Sequence, residues 1–366
     1  VPPSADPIVA VSQRVERFVA DQRTSVAGFG EEALAFVDSG AAAAVGGKGF
    51  RARFCLAGWR AVTSFRRTSA VETPPSVIAV SAALEIFHAA ALVHDDVIDR
   101  SDTRRGRPAA HRAWEAAHGG AEWAGDAEHF GHSAAILLGD LLVAWSDDLL
   151  EEGLRTIDDA SLADRARQEF ARMRREVTIG QFLDVAEESA YVAAPVEAHP
   201  DRALRVASLK SARYSVQHPL QLGAVLAGAD ADQYEALGAF GHPVGLAFQL
   251  RDDVLGVFGD TSVTGKPVGD DLREGKRTLL VAYTRASLPT GALRTFDELL
   301  GDRDLTSTQV AHLQQTIVDT GALTLVEDRI AEWVADADRA LRGAPLDNAA
   351  VGELRDLARA ATVRVA

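Results

Sequence analysis

Apolar residues recur along this chain every three to four positions, and almost nowhere in strict alternation. That period predicts helices over roughly 8–23, 27–44, 48–68, 76–99, 131–151, 160–185, 203–227, 231–258, 276–287, 292–300, 307–320, 322–342 and 348–362. Strand-like runs are nearly absent. Glycine and proline mark the breaks: TPPS near 73–76, HGGAEWAGDAEHFGH near 118–132, YVAAPVEAHPD near 191–201 and GDTSVTGKPVGDD near 259–271. Pro243, in GHPVG, is expected only near the first turn of its helix, because deeper inside it removes a backbone hydrogen bond. No loop has the look of a domain linker and no short-period repeat stands out. The pattern predicts a single all-α domain spanning 1–366, a large helical bundle around a central apolar cavity.

Two segments are apolar nearly all round, 76–99 and 241–258, and such helices belong at the centre of a bundle. Both end in acid. The first runs into HDDVIDRSDTRRGRP, with Asp95, Asp96 and Asp99; the second into FQLRDDVLGVFGD, with Asp252 and Asp253. Basic residues follow each: Arg104 and Arg105 after the first, Lys266 and Lys276 after the second. Two central helices ending this way are expected to bring their aspartates face to face across a cavity.

Composition narrows the partners. The 366 residues are 47% apolar and 25% charged, which is globular composition. Lys+Arg of 38 against Asp+Glu of 53 leaves a net charge of −15, which argues against nucleic acid or an acidic membrane as the main partner. A small anion remains open where basic residues gather. Cys55 is the sole cysteine, so no intrachain disulfide forms, and a reducing cytoplasm is the expected location. VPPSADPIVA shows no signal-peptide pattern. The longest apolar segment, about Val77 to Val93, is broken by Glu85 and His88, so no transmembrane segment is expected.

On a helix, Asp95 and Asp99 share a face while Asp96 points about 100° away. Mg²⁺ takes a few hard carboxylate oxygens and fills its octahedron with water and phosphate. DDxxD alone is a weak signal, and a solvated acidic helix end is the competing reading. Its place at the end of a buried helix, followed by two arginines able to fork onto phosphate, favours the metal. Gln249 and Asp253 are likewise four apart. Lys266 and Lys276 sit among glycines, where a loop can close over phosphate. Neither completes a Walker motif, since Lys276 precedes Arg277 and no strand leads in; GGKG at 46–49 fails likewise at Gly49.

Read in order, GGKGFR (46–51), LEIFHAAALVHDDVID, RRGRP, AILLGDLL (135–142), GQFLD (180–184), KSARY (210–214), GLAFQLRDDVLG and GKRT (275–278) resemble the trans-type polyprenyl diphosphate synthases. The tail of the second motif looks most like bacterial geranylgeranyl diphosphate synthases. The resemblance implies an isoprenoid synthase-like fold, a homodimer, and head-to-tail condensation of isopentenyl diphosphate with dimethylallyl, geranyl or farnesyl diphosphate. It implies Mg²⁺, three ions per active site, with Mn²⁺ as a substitute. By position, Asp95, Asp99 and Asp252 bind metal, and Asp96 and Asp253 support them. Arg104, Lys210, Lys266 and Lys276 hold the allylic diphosphate; Lys48, Arg51, His88 and Arg105 hold isopentenyl diphosphate. Ser211 and Gln249 lie near the allylic carbon. Two departures stand out: Gly49 replaces the usual arginine after GGK, and Gly256 the usual third aspartate of the second motif.

Ala91 and Ala90, four and five residues before Asp95, lie about one turn below it if helical, with Phe87 about one turn further. Alanines leave room where aromatic rings would form a floor, so a product longer than farnesyl, geranylgeranyl, is expected. The rivals are a class I terpene cyclase, for which no (N/D)DxxSxxxE pattern is found, and a non-catalytic regulatory subunit of a heteromeric synthase.

Overall fold

The computed structural model describes residues 6–66, 72–260 and 268–362. The chain divides into two compact units, Val1–Trp59 with Ser69–Arg167, and Arg60–Thr68 with Gln168–Ala366. The fold is all-α, as the periodicity predicts; among the described residues the only strands are the two-residue pair β1 (Thr103–Arg104) and β2 (Arg107–Pro108).

The first unit holds α1 (Pro7–Ser25), α2 (Glu31–Ala44), the start of α3 (Phe50–Arg66), α4 (Pro75–Ile98), the β1–β2 hairpin, α5 (Ala110–Gly120), α6 (Ala127–Leu154) and the start of α7 (Ala160–Ala190). Asp6 caps α1 by accepting from the Ile8 N–H (2.9 Å), and Pro7 sits in the first turn, where its missing N–H costs nothing. α4 is the core helix: Val77, Val80, Leu84, Ile86, Phe87 and Val93 are all buried. Each such side chain contributes about 1.5–3 kcal/mol on burial. α4 packs chiefly on α6. The approach is close because Gly153 has no side chain; a Cβ there would lie 3.0 Å from both Ala79 Cβ and the Ser76 carbonyl oxygen. The Ser146 hydroxyl donates to the Ala83 carbonyl (2.9 Å) across the same interface. α4 is also the one helix among the described residues long and apolar enough to cross a membrane, and about two thirds of its apolar window is buried inside the protein.

α5 escaped the apolar pattern for a physical reason. Its buried positions are His111 and His118, polar residues that do not register as a hydrophobic stripe. The loop expected over 118–132 shrinks to the stretch between Gly120 and Ala127, and Asp126 caps α6 through the Glu128 and His129 N–H groups.

The second unit holds the end of α3, the remainder of α7, α8 (His199–Val206), a π-helical segment (Ala207–Gln217), α9 (His218–Leu226), α10 (Ala231–Phe258), α11 (Asp270–Glu274), α12 (Leu279–Ser287), α13 (Thr290–Leu299), α14 (Ser307–Asp319), α15 (Ala322–Ala340) and α16 (Asn348–Thr362). Its core joins Leu250, Val254 and Val257 of α10 to Leu280, Ile317 and Val326. The helix expected over 203–227 is thus three pieces, with a wide π turn where KSARY lies. Such segments are frequent at functional sites.

Pro243 lies well inside α10, contrary to the first-turn expectation. Packing overrides the lost hydrogen bond. Gly241 and Gly245 flank the proline, and a Cβ on either would run into backbone, of Gln217 at 2.9 Å and of Ala212 at 2.6 Å respectively. α10 therefore lies pressed against the π segment. The helix also starts firmly, from a capping box between Asp230 and Gln233.

Candidate active site

In the first unit, α4 delivers the acid. Asp96 points inward, 2% exposed, and accepts from Arg104 Nε at 2.9 Å; Asp95 and Asp99 are half-buried on the other face. Asp99 ends the helix, its N–H donating to the Asp95 carbonyl at 2.8 Å, so both stay on one side. Asp95 Oδ2 is 3.8 Å from Arg104 Nη2. The split foreseen from helical geometry is therefore present: one aspartate holds an arginine, and two face outward.

Arg104 and Arg105 come from the hairpin. Thr103 pairs with Pro108 and Arg104 with Arg107, leaving Arg105 and Gly106 as a two-residue turn. Both have positive φ, 52° and 71°, which favours Gly or Asn but is forced on Arg105 by the tight reversal. The guanidinium of Arg105 reaches the GGKG loop, donating to the Val45 carbonyl at 3.4 Å. Lys48 is exposed there, and Arg51 is buried at the start of α3. Gly49 has φ of 62°, so a side chain at this position is strained; its departure from the usual arginine goes with the turn of the loop.

His88 ties these parts together. Burial, and then the charges of Arg51, Arg105 and Arg104, push its imidazole well below the ordinary value. Three arginines from two segments, α3 and the hairpin, thus act on one neutral histidine, with Glu85 Oε1 accepting the Ala52 N–H at 2.9 Å to hold the loop against α4. Glu85 was passed over in the sequence. Its signal was a lone acid breaking an apolar run.

In the second unit, Lys210 Nζ lies 2.5 Å from Asp184 Oδ2, an α7 residue inside GQFLD that the sequence reading quoted but did not assign. Gly180 lets the π segment sit against α7, since a Cβ would fall 2.8 Å from Lys210 Cα. Ser211 follows, half-buried. On α10, Asp252 is exposed, whereas Asp253 is 7% exposed and accepts from Gln249 Nε2 at 2.7 Å. Burial and then Asp271 raise the Asp253 carboxyl to about 8, with Asp252 adding to the effect while Gln249 and Lys276 oppose it. Lys276 lies 2.8 Å from Glu274 and 3.4 Å from Asp271. Asp271 and Glu274 were not singled out in the sequence; they follow the loop in GDDLREGK. Lys266 lies outside the described residues. Phe87 and Ala90 are buried in α4 and Ala91 is half-buried.

No group of three or more His, Cys, Asp or Glu side chains converges as a preformed metal site among the described residues. The donors are nevertheless suited to Mg²⁺. All are hard carboxylate oxygens, and Mg²⁺ is commonly held by one or two of these with the rest of its shell from water and substrate phosphate. Asp253 is pushed toward protonation by burial and then by Asp271.

A family model described as polyprenyl synthetase matches residues 38–317. The chain is 31% identical over 292 residues to a geranylfarnesyl diphosphate synthase of Aeropyrum pernix, covering 80% of this chain and 84% of that protein. It is 40% identical over 202 residues to a geranylgeranyl diphosphate synthase of Mycobacterium tuberculosis, covering 55% of this chain and half of that one. Among solved structures, a geranylgeranyl pyrophosphate synthase from Corynebacterium glutamicum, complexed with isoprenyl diphosphate and magnesium, superposes with a TM-score of 0.90. It shares 37% identity, over 98% of this chain and 99% of that one. With its two acid-and-base clusters in place and this match over most of its length, the chain belongs to the polyprenyl synthetase family.

Proposed function

We infer that the protein is a trans-prenyl diphosphate synthase, condensing isopentenyl diphosphate head-to-tail with an allylic diphosphate to give geranylgeranyl diphosphate. The observation that carries this reading is the gathering of Arg51, Arg104 and Arg105 around a neutral His88. A diphosphate fits such a cluster, because guanidinium forks bind its oxygens bidentately and a neutral imidazole donates without adding charge.

Lys48, Arg51, His88 and Arg105 hold isopentenyl diphosphate. Arg104, Lys210, Lys266 and Lys276 hold the allylic diphosphate. Asp95, Asp99 and Asp252 would hold Mg²⁺, three ions per site, with Asp96 and Asp253 supporting them. Bound Mg²⁺ supplies Lewis-acid neutralisation of the leaving diphosphate. The fixed cations add to this as the C–O bond breaks and negative charge grows, so they bind the transition state more tightly than the ground state. Asp96 keeps Arg104 aimed, and Asp184 does the same for Lys210. The Ser211 and Gln249 oxygens face the developing allylic cation, and apolar walls keep water from quenching it. The isopentenyl double bond then attacks, and the departing diphosphate takes the proton. The 1–366 chain acts as one prenyltransferase domain, as a homodimer in the cytoplasm.

The test is incubation with Mg²⁺, isopentenyl diphosphate and each of dimethylallyl, geranyl and farnesyl diphosphate, followed by chromatographic sizing of the dephosphorylated products. Geranylgeraniol from all three starters is expected. Cyclised hydrocarbon without elongation would overturn the reading in favour of a cyclase. Turnover seen only with an added partner synthase would indicate a regulatory subunit.

A further inference from the structure

One buried cation has no task in the reaction. Arg277 directly follows Lys276 in GKRT, yet its side chain is only 12% exposed. It lines a small cleft within the second unit, together with Tyr191 just after α7, His199 at the start of α8 and Arg285 on α12. Its guanidinium carbon lies 3.5 Å from the centroid of the Tyr191 ring, and that of Arg285 lies 4.9 Å from the same ring. Both distances are within cation–π reach. The Arg277 Nε and Nη1 groups are buried and have no hydrogen-bond partner among the described residues. The Asp297 carboxylate, from α13, stops 3.6 Å from Nη1, too far for a hydrogen bond.

Asp297 is already engaged. Arg285 grips it with a fork, Nε donating to Oδ1 at 2.8 Å and Nη2 to Oδ2 at 2.9 Å. Nη1 of Arg285 donates to His199 Nδ1, so the imidazole carries its proton on Nε2, which donates to the Tyr191 carbonyl at 3.1 Å. The histidine therefore has no acceptor left for Arg277. Glu187, the other carboxylate at the cleft, is held by Arg202, with Nε 2.8 Å from Oε2 and Nη2 2.6 Å from Oε1. The remaining side chains at the cleft, Val281 and Ala282, offer carbon only. At the cleft, two guanidiniums thus share one carboxylate, and the surplus positive charge sits on the arginine whose donors are unmet. Burial pushes the Arg277 guanidinium below its ordinary value, with Arg285 adding to the effect while Tyr191 and Asp297 oppose it.

A buried charge needs both a hydrogen-bond partner and a counter-charge. Water supplies the first alone; an anion supplies both. The free space takes about one water-sized sphere, which suits a single atom and is too small for a phosphate group. We propose that the cleft between Arg277, Arg285 and Tyr191 binds one small monovalent anion of halide size, chloride in ordinary solution. The ion accepts from Arg277 Nε and Nη1 and balances the charge that Asp297 leaves over. The site is separate from the two diphosphate positions and does not depend on which prenyl product is made.

The experiment uses the full chain and the variant Arg277→Gln. Thermal midpoints are measured at one ionic strength while potassium chloride replaces potassium gluconate, whose anion is too large for the cleft. Wild type is expected to show a saturable rise of about 1–3 °C relative to Arg277→Gln, which carries the same background of general salt effects. Crystals grown in bromide give a second readout that needs no unfolding. An anomalous peak within hydrogen-bonding reach of Arg277 Nε and Nη1 is expected in wild type and none in Arg277→Gln. A wild-type response to chloride no larger than that of the variant overturns the proposal. So does a bromide map in which the cleft holds only water. A bromide peak without any chloride response in solution also overturns it, as binding at crystal concentration only. Should Arg277→Gln fail to fold, the bromide peak and the saturable rise in wild type decide together.

Discussion

Replacing Ala91 by phenylalanine is expected to shorten the product by one isoprene unit, from geranylgeranyl to farnesyl. Phe87, Ala91 and Asp95 recur every four residues, so they share one face of α4. At about 1.5 Å per residue, Ala91 lies about 6 Å and Phe87 about 12 Å below Asp95 along the helix. A ring at 91 raises the floor by about one helical turn, roughly 6 Å. The neighbouring Ala90→Phe is the control. Ala90 is fully buried and Ala91 only half-buried. A ring forced in at 90 overpacks the first unit's core and costs about 1–3 kcal/mol, whereas a ring at the half-buried position 91 is expected to cost less than about 1 kcal/mol. Each purified variant is incubated with isopentenyl and dimethylallyl diphosphates, its products are dephosphorylated and sized, and its thermal midpoint is measured. The expected result is a shorter product with an unchanged midpoint for Ala91→Phe, and a midpoint lowered by several degrees for Ala90→Phe. Geranylgeraniol from Ala91→Phe would refute the reasoning, because the tail would then run along another wall.

Acid sensitivity follows from the second unit. His218 is held between Glu169 (2.6 Å from Nδ1) and Glu176 (3.0 Å from Nε2). Burial raises both carboxyls, but the hydrogen bonds and charge of His218, joined by Tyr234 and Arg172 at Glu169 and by Arg213 at Glu176, together outweigh it, and both end below the ordinary value. A carboxyl lowered in the folded state contributes stability above its unfolded value, about 4.3 for glutamate, and loses it as pH falls through the folded value. Thermal melts from pH 7 to 3 are expected to drop steeply below about pH 4 and less steeply for Glu176→Gln; parallel curves would contradict this. Cys55 is fully buried, and burial pushes its thiol up to about 12, so a thiol reagent at pH 8 is expected to label it only after unfolding. Rapid labelling of the native protein would show that α3 opens there.

Much of the candidate site was legible because metal and phosphate chemistry demand particular residue types at helical spacing. Asp95, Asp96 and Asp99 needed only the geometry of one helix to be placed on two faces; that Asp96 is the buried one was added by packing. The arginine pair was readable as adjacent cations after the acids, though not as a hairpin with Arg105 in a left-handed conformation. Asp184, Glu85 and Asp271 were not singled out, because each works on a residue distant in sequence: Lys210, the Ala52 N–H and Asp253. Residue type alone makes any of them an ordinary surface acid.

Local pattern alone determined the all-α class, most helix positions and the two acidic ends of apolar helices. Those features depend on periodicity and on contacts within four residues. Tertiary structure decided the rest. It buried α5 through histidines, turned KSARY into a π segment, carried α10 through Pro243 and drew three arginines around His88. In each case packing energy summed over many long-range contacts exceeded a local preference of about 1–3 kcal/mol, and no window of sequence contains that sum.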